Sequence, residues 1–139
     1  MSDALHITVL TPERAVLDED VYSVTAPGAA GYLGILKNHA ALITSLVPGK
    51  LTVKNLRQQP TVYAVSGGFL EVANNKVTVL ADTLLAVDEI DLADVQECRK
   101  QAERRREAAR TPHDKEQAEA DLARIENLIR IKRHPEPSV

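Results

Sequence analysis

Residues 69–80 read FLEVANNKVTVL. Phe69-Leu70-Glu71-Val72 and Lys76-Val77-Thr78-Val79-Leu80 are β-rich runs on either side of Asn74-Asn75. Asparagine tolerates the positive φ that tight hairpin turns need, so the segment predicts a β-hairpin. The chain before it continues in the same manner. Leu5-His6-Ile7-Thr8-Val9-Leu10 alternates or is β-branched, and Thr11-Pro12-Glu13 breaks it. Val16-Leu17 and Val21-Tyr22-Ser23-Val24-Thr25-Ala26 follow, the second ended by Pro27-Gly28. Leu51-Thr52-Val53-Lys54 and Val62-Tyr63-Ala64-Val65 complete the set. Short β-rich runs separated by Pro48-Gly49, Gly67-Gly68 and Asn74-Asn75 point to a β-sandwich or barrel, with no useful helix before Val87.

After Val87 the composition changes, and most of the chain's charge lies beyond it. Asp91 is suited to cap a helix that starts at Leu92 and runs through Gln101 toward Ala109, with Asp94 adding favourable charge in the first turn. Thr111-Pro112-His113 ends that helix, because proline disfavours helix at the residue before it. Asp114 and Gln117 make a capping-box-like restart. Ala118, Leu122, Ile125 and Ile129 recur as one apolar stripe, and Lys132 and Arg133 close the second helix. A short proline turn between two helices predicts an antiparallel hairpin. The first helix offers only the thin stripe Leu92, Val95, Cys98 and Ala102. Little apolar area is therefore buried, and the hairpin is expected to be the low-stability part, able to detach or change partners. Two domains are expected, 1–87 and 88–139.

The 139 residues suffice for a compact domain with an appendage. A net charge of −3 and scarce aromatics argue against nucleic-acid binding. A single cysteine, Cys98, allows no internal disulfide and no metal cluster, which fits a reducing compartment. The start, MSDALHITVL, lacks the basic and apolar regions of a signal peptide. No apolar run approaches the roughly 20 residues that cross a bilayer.

Catalytic chemistry finds little support. His6, His39, His113 and His134 form no metal-ligand spacing with one another or with Cys98. There is no phosphate-binding glycine loop and no nucleophile elbow, and Ser66-Gly67-Gly68 reads as a bend between strands. Arg104-Arg105-Arg106 could grip an anionic partner, or form a solvated helix face paired with Glu103 and Glu107. Residues 31–44, GYLGILKNHAALIT, fit neither a clean strand nor a clean helix, and their apolar character surrounds a lone His39. A catalytic loop, a core turn and a docking surface are all open readings.

The order of these pieces carries a resemblance. Gly31-Tyr32-Leu33-Gly34-Ile35-Leu36-Lys37-Asn38-His39-Ala40-Ala41-Leu42-Ile43-Thr44 resembles the G-x-L-G-I-x-x-x-H-A-x-L-x-T signature of the epsilon subunit of bacterial F-type rotary ATP synthases. Gly67-Gly68-Phe69-Leu70-Glu71-Val72 and Val77-Thr78-Val79-Leu80-Ala81-Asp82 are similar to that family's G-G-x-x-E-V and V-T-V-L-A-D segments. The match spans essentially the whole chain.

The resemblance implies a ten-stranded sandwich followed by an antiparallel helix pair, in a non-catalytic subunit of the central rotor. It implies as partners the gamma subunit, the membrane-embedded c-ring and the catalytic beta and alpha subunits. No cofactor and no metal are implied, and association with the cytoplasmic face of the plasma membrane would be peripheral, through the complex. Gly31, Tyr32, Leu33, Gly34 and His39 become contact candidates for gamma and the ring, with Tyr32 at the loop tip. In the family the hairpin also inhibits ATP hydrolysis when extended. That makes Arg104, Arg105, Arg106, Arg110, Arg124, Arg130, Lys132 and Arg133 contact candidates for beta and gamma. Some members bind ATP through I/L-D-x-x-R-A. Here Ile90-Asp91-Leu92-Ala93-Asp94-Val95 keeps Ile-Asp but has Asp94-Val95 for Arg-Ala, which puts an anion beside a polyphosphate. A nucleotide-sensing module is thus the disfavoured alternative, and a small hydrolase using His39 lacks partner residues.

Overall fold

The computed structural model describes residues 4–138. The strands are β1 (Leu5–Leu10), β2 (Ala15–Val21), β3 (Ser23–Gly28), β4 (Gly31–Leu36), β5 (Leu42–Ser45), β6 (Gly49–Lys54), β7 (Pro60–Ala73) and β8 (Lys76–Ala86). The helices are α1 (Leu92–Ala108) and α2 (Pro112–Arg133), preceded by a 3-10 turn at Val87–Glu89. The strands run in the hydrogen-bonded order β2-β1-β8-β7-β6-β3-β4, with β5 paired to β7. β1 and β8 pair in parallel, while the other pairings are antiparallel.

Eight strands, among the described residues, replace the expected ten. The reason lies at Gly67-Gly68. Val62-Val65 and Phe69-Val72 are parts of the single strand β7, which pairs with β6 before the glycines and with β5 after them. β8 stays in register with β7 along both parts. Gly67 and Gly68 have φ of 66° and 109°. A Cβ on Gly68 would collide with the Leu80 carbonyl oxygen, and one on Gly67 with the Asp82 carboxylate. Only glycine gives this bend, since it alone takes such angles without a steric penalty. Across the bend the inward-facing core residues change from odd to even positions: Val65 to Leu70 and Val72 on β7, Val79 and Ala81 to Leu84 on β8. One long hairpin thereby serves both layers, and the two layers enclose a shared core of Leu5, Ile7, Val9, Val24, Ile35, Leu51, Val53, Leu70 and Val79.

The hairpin turn itself falls where the sequence predicts. Asn74 and Asn75 have φ of 52° and 62°, the left-handed pair that suits a two-residue turn. β2 extends through Asp18-Glu19-Asp20, beyond the Val16-Leu17 run that the sequence predicts. It lies at the end of the sheet, and acidic residues are tolerated on such an edge.

The chain divides into a β unit through Ala86 and a helical unit, Val87–Pro135. Within the helical unit, Arg105 meets Asp121 and Arg99 approaches Glu126, so α1 and α2 run antiparallel. Asp91 caps α1, its carboxylate accepting from the Ala93 and Asp94 amides. The second cap differs from the expected Asp114. Thr111 holds that position, its hydroxyl oxygen accepting from Asp114 N at 3.1 Å. Pro112 then takes the first helical position, where its missing N–H costs nothing. Ala118, Leu122, Ile125 and Ile129 are buried as a stripe, whereas α1 buries only Val95 and Ala102, and Cys98 is exposed.

Candidate interaction surfaces

Residues 31–44 resolve into two strands and a turn. Gly28 pairs with Gly31 across a tight connection, so Ala29 and Ala30 form the tip. Tyr32 is therefore not at a loop tip, as the resemblance implies, but one residue into β4, opposite Pro27. The alternation was hidden because Gly31 and Gly34 interrupt it with residues that carry no side chain. Tyr32 is anchored at its hydroxyl, which accepts from Lys50 N at 2.9 Å. Its ring leaves no room at Gly49, where a Cβ would stand 2.6 Å from the Tyr32 hydroxyl and from Pro27.

β4 ends the strand order, so among the described residues one of its edges carries no neighbouring strand. Beside that edge Tyr22, Tyr32 and Leu36 are 43%, 53% and 52% exposed. Together with Thr25, Gly34 and Lys54 they line a groove of about 450 Å³. Gly34 lies directly across from Thr25, and no atom stands within 4 Å of where its Cβ would be. Leu33 points the other way and packs on the core. The structure thus gathers Tyr32 and Gly34 on one strip, leaves Gly31 outside it at the turn, and adds Tyr22, Leu36 and Lys54, which sequence reasoning missed. The signal was available: a two-residue turn at Ala29-Ala30 places Leu36 opposite Ser23, beside Tyr22.

His39 sits apart, in the turn after β4. Its amide donates to Leu36 O at 3.1 Å and its Nδ1 donates to Ala40 O at 2.8 Å. A backbone carbonyl orients the ring and supplies no acid or base for catalysis. Asn38, at φ 67°, ties this turn to the β7–β8 turn through its amide and Asn75 Oδ1.

On the helices the candidate cations fall into two groups. Arg105 Nη1 donates to Asp121 Oδ2 at 2.9 Å, and Arg124 stands 4.0 Å from the same carboxylate. Arg130 donates to Asn127 Oδ1 at 2.7 Å, and Lys132 Nζ donates to Val87 O at 3.0 Å. Arg104, Arg106, Arg110 and Arg133 are exposed. Of the ATP-motif positions, Ile90 and Val95 are buried, Asp91 is committed to the cap, and Asp94 is exposed beside it. The first turn of α1 is thus already supplied with negative charge. Among the described residues no cluster of His, Cys, Asp and Glu is arranged to hold a metal ion.

A family model described as the ATP synthase, Delta/Epsilon chain, beta-sandwich domain matches residues 4–87. The ATP synthase epsilon chain of Moorella thermoacetica is 43% identical over 129 residues, covering 93% of this chain and 95% of that one. Among solved structures, a chain of the Euglena gracilis mitochondrial ATP synthase OSCP/F1/c-ring assembly superposes with a TM-score of 0.79 at 23% identity. That alignment covers 94% of this chain and 82% of the other. A chain of the Tetrahymena thermophila mitochondrial ATP synthase central stalk and c-ring gives 0.67 at 19% identity, covering 91% and 95%.

Proposed function

The chain belongs to the ATP synthase delta/epsilon family, and from that premise we propose that it is a non-catalytic central-stalk subunit that couples rotation of a membrane c-ring to the catalytic head. The carrying observation is that similarity to an epsilon chain extends over 93% of this chain, helical unit included. The β unit would hold the gamma subunit and the ring, and the hairpin would act as a brake on ATP hydrolysis.

The groove beside β4 supports the first role. Exposed apolar side chains around a glycine that leaves the backbone open are suited to close approach by a partner. Gly31, Tyr32 and Gly34, with Tyr22 and Leu36, are the residues we assign to that contact; His39 shapes the adjoining turn. The second role rests on α2 and the end of α1, where Arg104, Arg105, Arg124, Arg130, Lys132 and Arg133 would face acidic segments of beta or gamma. Arg105 and Arg124 already share Asp121, so a partner carboxylate has to compete for them. Exposed pairs of this kind contribute about 0–1 kcal/mol, which makes such competition cheap. Association with the cytoplasmic face of a bacterial plasma membrane follows through the complex.

Co-purification tests the reading. Tagged chain expressed with the other rotor and head subunits of its source should retain a gamma subunit, and Tyr32→Asp with Leu36→Asp should lower the yield at least about tenfold. That loss corresponds to about 1.4 kcal/mol of contact. Retention of no gamma subunit by the unaltered chain would refute the proposal.

A further inference from the structure

A cluster at the opposite end of the sheet order has no part in the contacts assigned above. His6 on β1 pairs across the strands with Asp20 of β2, and Thr8 pairs with Asp18. The alternation of β1 sends Ile7 and Val9 into the core and leaves His6 and Thr8 on the outer face. Asp18 and Asp20 share that face, while Glu19, paired with Ile7, belongs to the other. His6 Nδ1 lies 2.8 Å from Asp20 Oδ1 and His6 Nε2 lies 2.5 Å from Asp18 Oδ1. The Thr8 hydroxyl donates to the same Asp18 oxygen at 3.3 Å.

We propose that His6 is a protonation-dependent clasp that holds the edge strand β2 to the sheet, closed as imidazolium and opened by loss of one proton. Carboxylate oxygens only accept, so both ring nitrogens must donate to make both contacts. Neutral imidazole carries one N–H. Its second nitrogen would set a lone pair against a carboxylate, and one of the two aspartates would lose its hydrogen bond to the ring. Among the described residues β2 has one neighbouring strand, β1, so the clasp bears on the ladder that retains it.

Other charges near the ring are few among the described residues. From β2 they are Asp18 and Asp20; from β8, directly across from His6, the facing residue is Lys76. The β7–β8 turn contributes the uncharged Asn74 and Asn75 to the same shallow depression. Lys76 repels an imidazolium, but two hydrogen-bonded carboxylates outweigh one cation that makes no hydrogen bond to it. The direction of titration agrees: the hydrogen bond to Asp20, then that to Asp18, raises the His6 pKa above its ordinary value. The hydrogen bond from His6 lowers that of Asp18.

The sign follows by linkage. A raised imidazole pKa gives stabilisation that is complete below about 6.5, the unfolded value, and is lost as pH rises through the folded value. A lowered carboxylate pKa gives stabilisation that is present above the ordinary Asp range and lost as pH falls through the folded value. The clasp is therefore tightest in mildly acid solution and releases on alkalinisation.

NMR on the full chain tests this. The His6 ring resonances should titrate above about 6.5, the ordinary imidazole value, and Asp20→Asn should move the His6 midpoint down. Amide exchange in β2, referenced to that of β6 to remove base catalysis, should accelerate several-fold as pH crosses the His6 midpoint. In His6→Gln the ratio should be flat with pH. A His6 midpoint at or below about 6.5 would overturn the proposal. So would a β2 to β6 ratio that is flat in the wild-type chain, or one that changes equally in His6→Gln.

Discussion

At the scale of single residues, glycines show how one atom divides folding from assembly. Gly68 sits at φ 109° with the Leu80 carbonyl where its Cβ would be, whereas Gly34 has open space. Gly68→Ala must move backbone on β8 or flatten the bend, and strain of this kind costs about 1–3 kcal/mol or more. Gly34→Ala removes conformational freedom from the unfolded chain and should leave stability unchanged or raise it by up to about 1 kcal/mol. Urea unfolding of the isolated chain compares the two, and Gly34→Ala should still weaken co-purification with a gamma subunit. Equal destabilisation by both variants would contradict the packing described here. The sequence revealed Asn74-Asn75 correctly because a turn of that type needs only local information. The bend that Gly67-Gly68 predicts is present, but β7 runs through it as one strand, because glycines mark a bend within a strand and a break between two strands alike. His6 was invisible as a site: its partners, Asp18 and Asp20, are adjacent only once the β1–β2 register is known.

Elements were legible where their pattern was periodic and ambiguous where glycine or proline punctuated it. The stripe Ala118, Leu122, Ile125 and Ile129 is buried as its spacing predicted. The start of the same helix was displaced, because Asp114 matched a capping pattern while Thr111, before Pro112, supplied the actual cap. Strand β4 was obscured by Gly31 and Gly34. The N-terminus of α1 was read correctly, and its chemistry carries a prediction. Asp91 occupies the amides of Ala93 and Asp94, and Asp94 adds a second carboxylate within the first turn. A polyphosphate approaching these amides meets two negative charges and finds the donors taken. Calorimetric titration of the chain with ATP, with and without magnesium, should show no saturable binding in the micromolar range. Asp94→Arg combined with Val95→Ala should strengthen whatever binding remains, since it exchanges an anion for a cation at that turn. Micromolar binding by the unaltered chain would show that the phosphates are held elsewhere.

On the scale of the whole molecule, the change of composition near Val87 corresponds to a change in how each unit is stabilised. The buried core of the β unit is assembled from residues of every strand but β5, which adds only the half-buried Leu42, and from the adjoining Leu46, and no helix residue belongs to it. α1, by contrast, contributes only Val95 and Ala102 as buried residues, and much of its remaining surface is charged. Contacts such as Arg105–Asp121 lie in solvent and contribute little. An element that buries as few apolar residues as α1 does opens at low free-energy cost, while α2 holds its place with a longer buried stripe. Deleting residues 88–139 should accordingly leave a β unit that unfolds cooperatively, with strand-type circular dichroism and no helical signal. Incorporated into the assembled complex, the shortened chain should still retain a gamma subunit, while ATP hydrolysis rises several-fold over that of the complex with the full chain. Charge reversal at Arg124, Arg130 and Arg133 should reproduce that rise without unfolding the β unit. Unchanged hydrolysis on deletion would remove the brake from the proposed function. Loss of the gamma subunit on deletion would instead transfer the docking role to the helices.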